Sequence, residues 1–169
     1  MTMKKRIKTA GALTLAAITV LSAAGLSSVY GALGVETDRE CSLTFTLDGT
    51  EFDEFRSMEI PVDVYKVADI TEEAVYDTTN YTDFADLGLE NVSSTTTAEE
   101  WAQMAEKAME TVEDEDKEIE PTEKVKVTKP AGAAEFTGEI NNLATGMYLV
   151  AAETVQTSEY TYDFSPYLV

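Results

Sequence analysis

Asn141–Glu153 reads NNLATGMYLVAAE, and this stretch decides how the chain folds. The Asn pair and the Ala144-Thr145-Gly146 segment are rich in turn-forming residues. The residues from Met147 to Thr154 are mostly apolar, which is typical of a buried strand. A turn followed by a strand needs a preceding strand to pair with, and Glu135–Ile140 has that character. We therefore expect an antiparallel hairpin whose second strand ends on the carboxylate of Glu153.

Other runs of the chain show the period of two that is typical of strands. From Cys41 the apolar residues alternate with Ser and Thr, and Asp48-Gly49 then signals a turn. We predict that Cys41 lies on the inward side of this first strand, as a buried thiol rather than a reactive one. Further strands are predicted at 60–70 with Pro61 at an edge, at 124–129 as an edge strand protected by lysines, and at 160–169.

One helix is predicted among these strands, at about 98–112. Thr97 and Glu100 have the spacing of a capping box, which satisfies free N–H groups at a helix start. Trp101, Ala105, Ala108 and Val112 recur at helical spacing, so this face should pack on the sheet. The acidic stretches 71–94 and 113–120 are predicted loops. The first should contain a short strand or turn, and the second lacks the calcium-loop pattern. Short strands with one inserted helix indicate an antiparallel sandwich.

The N-terminal residues 1–31 have the pattern of a helical export signal. A basic start is followed by an apolar stretch from Ala10 to about Leu26, and cleavage is predicted between Gly31 and Ala32. The alternative is an uncleaved membrane anchor, since no charge interrupts Thr9–Val35. Either way we expect the domain outside the cytoplasm, with a linker at 32–40 and the folded part at 41–169. Any membrane contact would come only through the signal segment before cleavage.

The charge of the chain limits the classes of function. It has 32 acidic and 12 basic residues, no His, and a formal charge of −20. Cleavage would remove four basic residues and no acidic ones, leaving 8 basic against 32 acidic residues and a charge of −24. This charge disfavours nucleic-acid binding, and the lack of His removes the usual acid–base group and metal ligand. We predict no cofactor, no metal site and no enzymatic activity.

Several motifs, in their order along the chain, resemble a collagen-adhesin B-type domain. These are prealbumin-like, Ig-like sandwiches of Gram-positive surface proteins and sortase-assembled pilins. The similar segments are Val62–Asp69, Phe136–Leu143, the Leu143-x-x-Gly146 turn with Tyr148, Glu153-Thr154, and Tyr162–Val169. The resemblance implies a secreted or cell-surface structural or adhesive module, similar to the N-terminal domain of a pilin subunit. Its partners would be other pilus or surface subunits, or host and matrix proteins.

The resemblance also implies a place for Glu153. Many members form an isopeptide bond, in which a strand lysine attacks an Asn or Asp while a buried acid assists. Glu153 matches that acid, but no lysine lies in Ser42–Leu47 and no matching Asn precedes Val169. We therefore expect Glu153 to be exposed, or paired with Lys66 or with a lysine of 124–129, and Lys66 to be a solvated edge residue.

Two expectations concern the whole protein. The chain has no sorting signal before Val169 and stops directly after a predicted strand. We expect either a fragment of a longer surface protein or a short relative that needs a partner strand. The alternative function is a secreted binding module that recognises a small or peptidic ligand through its acidic loops.

Overall fold

The computed structural model describes residues 34–48, 58–157 and 160–169, together with the backbone of 16–20. Within these ranges the fold is mainly antiparallel β, with a curled sheet and one α-helix. The helix is α1 (Ala98–Val112). The strands are β1 (Ala16–Val20), β2 (Glu40–Asp48), β3 (Glu59–Ile70), β4 (Tyr76–Asp77), β5 (Glu123–Thr128), β6 (Glu135–Ala144), β7 (Met147–Ala152), β8 (Val155–Gln156), β9 (Thr161–Tyr162) and β10 (Tyr167–Leu168).

The main sheet has the strand order β1-β2-β6-β5-β3-β7-β10, and β4 pairs with β3 at its far end. Every pairing is antiparallel. The sheet curls so that β2 and β6 face β3 and β7 across one apolar interior. Full burial of a large apolar side chain contributes about 1.5–3 kcal/mol. The largest fully buried members of this interior are Phe45, Phe136 and Ile60.

A second core lies on the outer face of β3 and β7, under α1. Tyr65 and Val67 leave β3 on this side, whereas Ile60, Val62 and Val64 point into the interior, as their alternation predicts. Because β7 is buried along both faces, it reads as a continuous apolar run rather than an alternating one. Ala105 and Ala108 are fully buried here, and Trp101 and Val112 pack beside them, so the predicted helix face is confirmed.

The bounds and the start of α1 also agree with the prediction. Thr97 Oγ1 accepts a hydrogen bond from the Glu100 N–H at 3.2 Å, and Glu100 Oε2 accepts one from the Thr97 N–H at 2.7 Å. Two N–H groups at the helix start are thereby satisfied. Ahead of the helix, residues 71–94 hold β4 and two short 3-10 helices at Thr82–Leu87 and Leu89–Asn91. The 3-10 helices were not foreseen, and their Phe84, Leu87 and Leu89 extend the second core.

The predicted turn at Asn141-Asn142 is wrong, because β6 continues through both residues to Ala144. The pairing of β2 with β6 shifts there, so that Ser42 stands opposite both Asn141 and Asn142. This is a β-bulge, and Asn142 takes a φ of 60° within it. Asn tolerates that left-handed conformation in a bulge as well as in a turn, so its presence alone did not distinguish them. The chain reverses only at Thr145-Gly146.

The two predicted edge positions need correction. β3 is central, between β5 and β7, and Pro61 is accommodated because β7 ends opposite Val62. The Pro61 carbonyl still accepts from the Glu153 N–H at 2.9 Å, on the side where its missing N–H would point. The strand KVKVTK, β5, lies between β3 and β6 but pairs with β6 only at Thr128. Its lysines remain on the surface, with Lys126 Nζ 2.6 Å from Glu59 Oε2.

The last predicted strand is divided. β9 pairs with β8 in a small hairpin, and β10 pairs with β7 in the main sheet. Between them lies Ser165-Pro166, and proline provides no N–H for a continuous ladder. The hairpin places Val155 and Tyr162 over the interior core.

Of the predicted signal segment 1–31, the structure describes only the backbone of Ala16–Val20. This piece is a strand rather than helix, and it pairs antiparallel with β2 from Ala16 opposite Thr46 to Val20 opposite Ser42. The predicted cleavage site at Gly31 and Ala32 lies outside the described residues. No helix in the described ranges is long and apolar enough to cross a membrane.

Candidate functional site

Glu153, the residue matched to an isopeptide-assisting acid, is exposed just after β7 ends. Its backbone N–H donates to Pro61 O, which fixes the main chain at this point. Assisting such a reaction needs a carboxylic acid whose pKa is raised by burial. The side chain of Glu153 is exposed instead.

Lys66 is largely buried, in contrast to the expected solvated edge residue. Its side chain is only 10% exposed, and its Nζ lies 2.6 Å from Asp69 Oδ1. The same Nζ lies 5.8 Å from the ring centroid of Tyr81 and 6.0 Å from that of Tyr148, a range in which cations are attracted to aromatic faces. Lys66 is therefore held by one carboxylate and two rings.

The Asp69 carboxylate is the centre of this polar cluster. Asn80 Nδ2 donates to its Oδ2 at 3.1 Å, and the Tyr81 hydroxyl donates to its Oδ1 at 3.5 Å. The hydrogen bond from Lys66, followed by those from Asn80 and Tyr81, holds the pKa of Asp69 below its usual value against the opposing effect of burial. The cluster thus ties β3 to the loop that leads into the 3-10 helices.

A bulge in β3 is what brings Lys66 and Asp69 together. Residues three apart on a regular strand point to opposite faces. The pairing of β3 with β7 shifts between Lys66 and Ala68, which inserts Val67 as an extra residue. This extra residue returns the side chains of Lys66 and Asp69 to the same face of the strand. No sequence pattern marked this bulge, so the pair was not predicted.

The β6–β7 turn closes over Lys66 through Gly146. A Cβ at Gly146 would lie 2.5 Å from Ala68 O and 2.5 Å from Lys66 Cε, and its φ is 157°. Only glycine lets the turn approach β3 so closely. The Tyr148 hydroxyl then donates to Ala144 O at 2.6 Å, across the turn. The stretch that decides the fold therefore also forms the roof of the lysine site.

A cavity of about 470 Å³ lies on the other side of the same turn. Its apolar lining includes Cys41, Leu43, Ile70, Leu143, Tyr148 and Val169. Glu36 and Arg39, which form an ion pair at 3.1 Å, also line it. The cavity has the size and the mixed apolar and charged lining of a small-ligand site.

The segment before β2 is fixed across this cavity. The Val35 N–H donates to Glu72 O at 2.9 Å, and Thr145 Oγ1 donates to Thr37 O at 2.7 Å. Both bonds attach residues of the predicted linker 32–40 to the folded part.

The edge of β2 is the third feature with functional potential. Between Glu40 and Asp48 this strand has the sequence CSLTFTL, with no charge and no proline. Leu43, Phe45 and Leu47 are buried in the interior, while Ser42, Thr44 and Thr46 are half-buried on the other face. Among the described residues, the sheet continues beyond β2 with the five residues of β1. Strand edges of this kind are places where another chain can add.

No protein-family model, no curated protein and no solved structure matches this chain. In the described ranges, no group of three or more Cys, Asp and Glu side chains is arranged to hold a metal ion. The β2 edge, the cavity and the lysine site are the features of the fold with functional potential.

Proposed function

We infer that this chain is a secreted or cell-surface structural or adhesive module, similar to the N-terminal domain of a pilin subunit. The motifs that carry the resemblance support this proposal. Leu143-x-x-Gly146 spans the end of β6 and the turn at Thr145-Gly146, Tyr148 packs in the interior, and Glu153-Thr154 follows the end of β7. Within this proposal the curled sheet is a prealbumin-like sandwich, with β2 and β6 packed on β3 and β7.

The edge of β2 is the observation that carries the proposal. β2 is a nine-residue strand with an uncharged centre, and removal of β1 with the export signal would open a row of backbone donors and acceptors on it to a neighbouring subunit. Main-chain hydrogen bonds then supply affinity, while the apolar interior behind Leu43, Phe45 and Leu47 keeps the strand rigid. Function of this kind is mechanical and needs no catalytic group.

Export of the protein is the first experimental test. The full chain, with a short epitope tag after Val169, is produced in a Gram-positive host, and the cell-wall, membrane, medium and cytoplasmic fractions are probed. We expect the protein in the wall or medium, starting at Ala32 by intact mass. A chain that stays in the cytoplasm with residues 1–31 attached would contradict the proposal.

The same mass measurement tests the isopeptide bond. Formation of a bond between Lys and Asn releases ammonia and lowers the mass by about 17 Da, a covalent change of the kind that sequence does not reveal. Because Glu153 is exposed, we expect the processed protein to have its unmodified mass. A mass deficit of this size would assign a cross-link to the fold.

The cavity supports a second candidate, a secreted binding module. The sequence pattern alone places the ligand of such a module at the acidic loops, whereas the cavity favours a small, largely apolar ligand beside the Glu36–Arg39 pair. Filling the cavity with Cys41→Phe should abolish the binding of an apolar fluorescent probe such as an anilinonaphthalene sulfonate, while Thr46→Val on β2 should leave it unchanged. Equal binding by both variants would exclude the cavity as the site.

A further inference from the structure

Beyond β6 the sheet ends in two strands, β2 and β1, which come from different parts of the chain. β2 belongs to the folded domain, whereas β1 lies inside residues 1–31, the predicted export signal. The five residue pairs of β1 run from Ala16 opposite Thr46 to Val20 opposite Ser42. They cover the uncharged centre of β2 and leave its acidic ends, Glu40 and Asp48, without a pairing residue from β1.

β2 lacks the features that usually protect an edge strand. Natural edges are protected by lysine, proline, a bulge or short length. At the opposite end of the sheet, β10 has only two residues. The exposed side of β5 has Lys124 and Lys126. β2 has nine residues, and the extra residue of its bulge belongs to β6, at Asn141 and Asn142, so its own backbone remains regular.

Val35 and Thr37, ahead of β2, are held away from its edge. Val35 is bonded to Glu72, and Thr37 to Thr145, at the end of the sheet beside the cavity. Residues 34–37 therefore cannot fold back along β2 while these bonds persist. Cleavage between Gly31 and Ala32 would remove β1 and leave the β2 edge open.

We propose that removal of residues 1–31 exposes the β2 edge for antiparallel addition of an extended segment from a different surface protein, with about five uncharged residues flanked by Lys or Arg. This rests on the proposed function, since it needs an exported and processed chain. Strand addition supplies one row of main-chain hydrogen bonds, as β1 shows by its register. The export signal would thus cover the assembly edge until the chain leaves the cytoplasm.

Charge determines the chemistry of this partner. The processed chain carries 8 basic and 32 acidic residues, so two copies repel each other. Acidic residues lie at both ends of the uncharged part of β2, Glu40 and Asp48, and Glu139 of β6 stands opposite Thr44. Basic flanks on the incoming segment would lie beside the two ends of β2, where the sequence has Glu40 and Asp48. Opposite charges across an interface speed association and select the partner.

Peptides provide a direct test with the protein in its two natural forms. The probe is Leu15–Leu21, LAAITVL, with two lysines added at each end. Its matched controls are the same peptide with glutamates at both ends, and the lysine peptide with Ile18→Pro, which removes a backbone donor. Each is titrated by fluorescence anisotropy into the processed protein and into the unprocessed full chain. Hydrogen exchange of residues 42–46 then locates the binding.

The expected result is binding of the lysine peptide to the processed form, with slower exchange of residues 42–46. The glutamate peptide should bind about tenfold more weakly at low salt, and added salt should shrink that difference because exposed charges are screened. The proline peptide should not protect β2, and the unprocessed chain should bind none of them because β1 occupies the edge. A processed chain that folds only after the lysine peptide is added also supports the proposal.

Three results would overturn the proposal of strand addition at β2. A folded processed chain whose β2 exchange is unchanged by peptide would exclude strand addition at this edge. Protection of β2 without peptide, together with a dimer by sedimentation, would assign the edge to a second copy instead. Equal binding by processed and unprocessed forms would show that β1 does not cover the site. Mass measurement reports secretion and processing independently of peptide binding. A secreted, processed protein that binds no peptide would therefore contradict strand addition but not the proposed function.

Discussion

Lys66 Nζ lies 2.6 Å from Asp69 Oδ1, beneath the turn that Gly146 closes between β6 and β7. The lysine side chain is 10% exposed and the carboxylate 36%, and the pair sits between Tyr148 of the first core and Tyr81 of the second. A partly exposed pair is screened by water on one side, which limits its net energy. Its larger contribution is to fix the bulge in β3 on which the turn rests.

The first prediction concerns the pH dependence of this pair. Asp69→Asn should lower the free energy of unfolding at pH 7 by less than about 1 kcal/mol, since solvent screens a partly exposed carboxylate. The pKa of Asp69 is lowered by the hydrogen bond from Lys66. Stability from a lowered pKa is present above the unfolded value of about 3.9 and is lost as pH falls through the folded value. Urea unfolding should therefore show a difference from wild type at pH 5–7 that narrows below about pH 4.

Lys66→Met provides the matched variant for the same pair. It keeps most of the apolar stem of the side chain but removes the ammonium group, and with it the ion pair to Asp69 and the attraction to the Tyr81 and Tyr148 rings. The double variant with Asp69→Asn should be less destabilised than the sum of the two single changes, because each single change leaves one partner unpaired. Strict additivity would show that the ion pair contributes nothing to stability.

The second prediction concerns Gly146. Gly146→Ala would place a Cβ 2.5 Å from Ala68 O, a backbone atom that cannot move without displacing β3. Gly132→Ala is the control, since Gly132 has a φ of 83° but no atom within 4 Å of the position that an alanine methyl group would take. Gly132→Ala should lower the free energy of unfolding by about 1 kcal/mol, from backbone strain alone. Gly146→Ala should lower it by at least about 3 kcal/mol, which is at the high end for single substitutions. Equal costs in urea unfolding would show that the turn can relax away from β3.

Periodicity in the sequence predicted most elements of the fold. The alternation in β2 and β3 identified the faces of Phe45 and Val62, and the capping box located the start of α1 at Ala98. These signals are local: each depends on residues two to four positions apart, which the backbone geometry alone brings together. The strand order was not predictable in this way, because nothing in KVKVTK says which strands lie beside it.

The lysine site and the bulges depend on strand register and on contacts between distant residues, which no local sequence pattern predicts. Asn142 satisfies the demands of a turn and of a bulge equally, so β6 was expected to end too early. Lys66 looked like a surface residue because lysine usually is one. Its burial depends on the register shift beside Val67, on the absence of a side chain at Gly146, and on two tyrosine rings from distant positions.

The third prediction concerns the start of α1. Thr97→Ala removes the oxygen that accepts the Glu100 N–H, and it should lower stability by about 1 kcal/mol. Thr97→Ser keeps that oxygen and should stay close to wild type. Thermal unfolding followed by circular dichroism would rank the three proteins. A serine variant as unstable as the alanine variant would mean that the threonine methyl group, rather than the cap, supports the helix.

The fourth prediction compares two buried tyrosine hydroxyls. The Tyr148 hydroxyl donates to Ala144 O at 2.6 Å, whereas the Tyr167 hydroxyl is buried without a hydrogen-bond partner among the described residues. Burial raises the pKa of both side chains. Tyr148→Phe removes a satisfied hydrogen bond and should cost about 1 kcal/mol, while Tyr167→Phe removes an unsatisfied group and should be neutral or stabilise the fold by up to about 1 kcal/mol. Urea unfolding at pH 7 measures both changes against the same wild type. A loss of stability in Tyr167→Phe as large as that in Tyr148→Phe would show that the Tyr167 hydroxyl has a hydrogen-bond partner. The change in hydrogen exchange along β10 would then show on which side of the strand that partner lies.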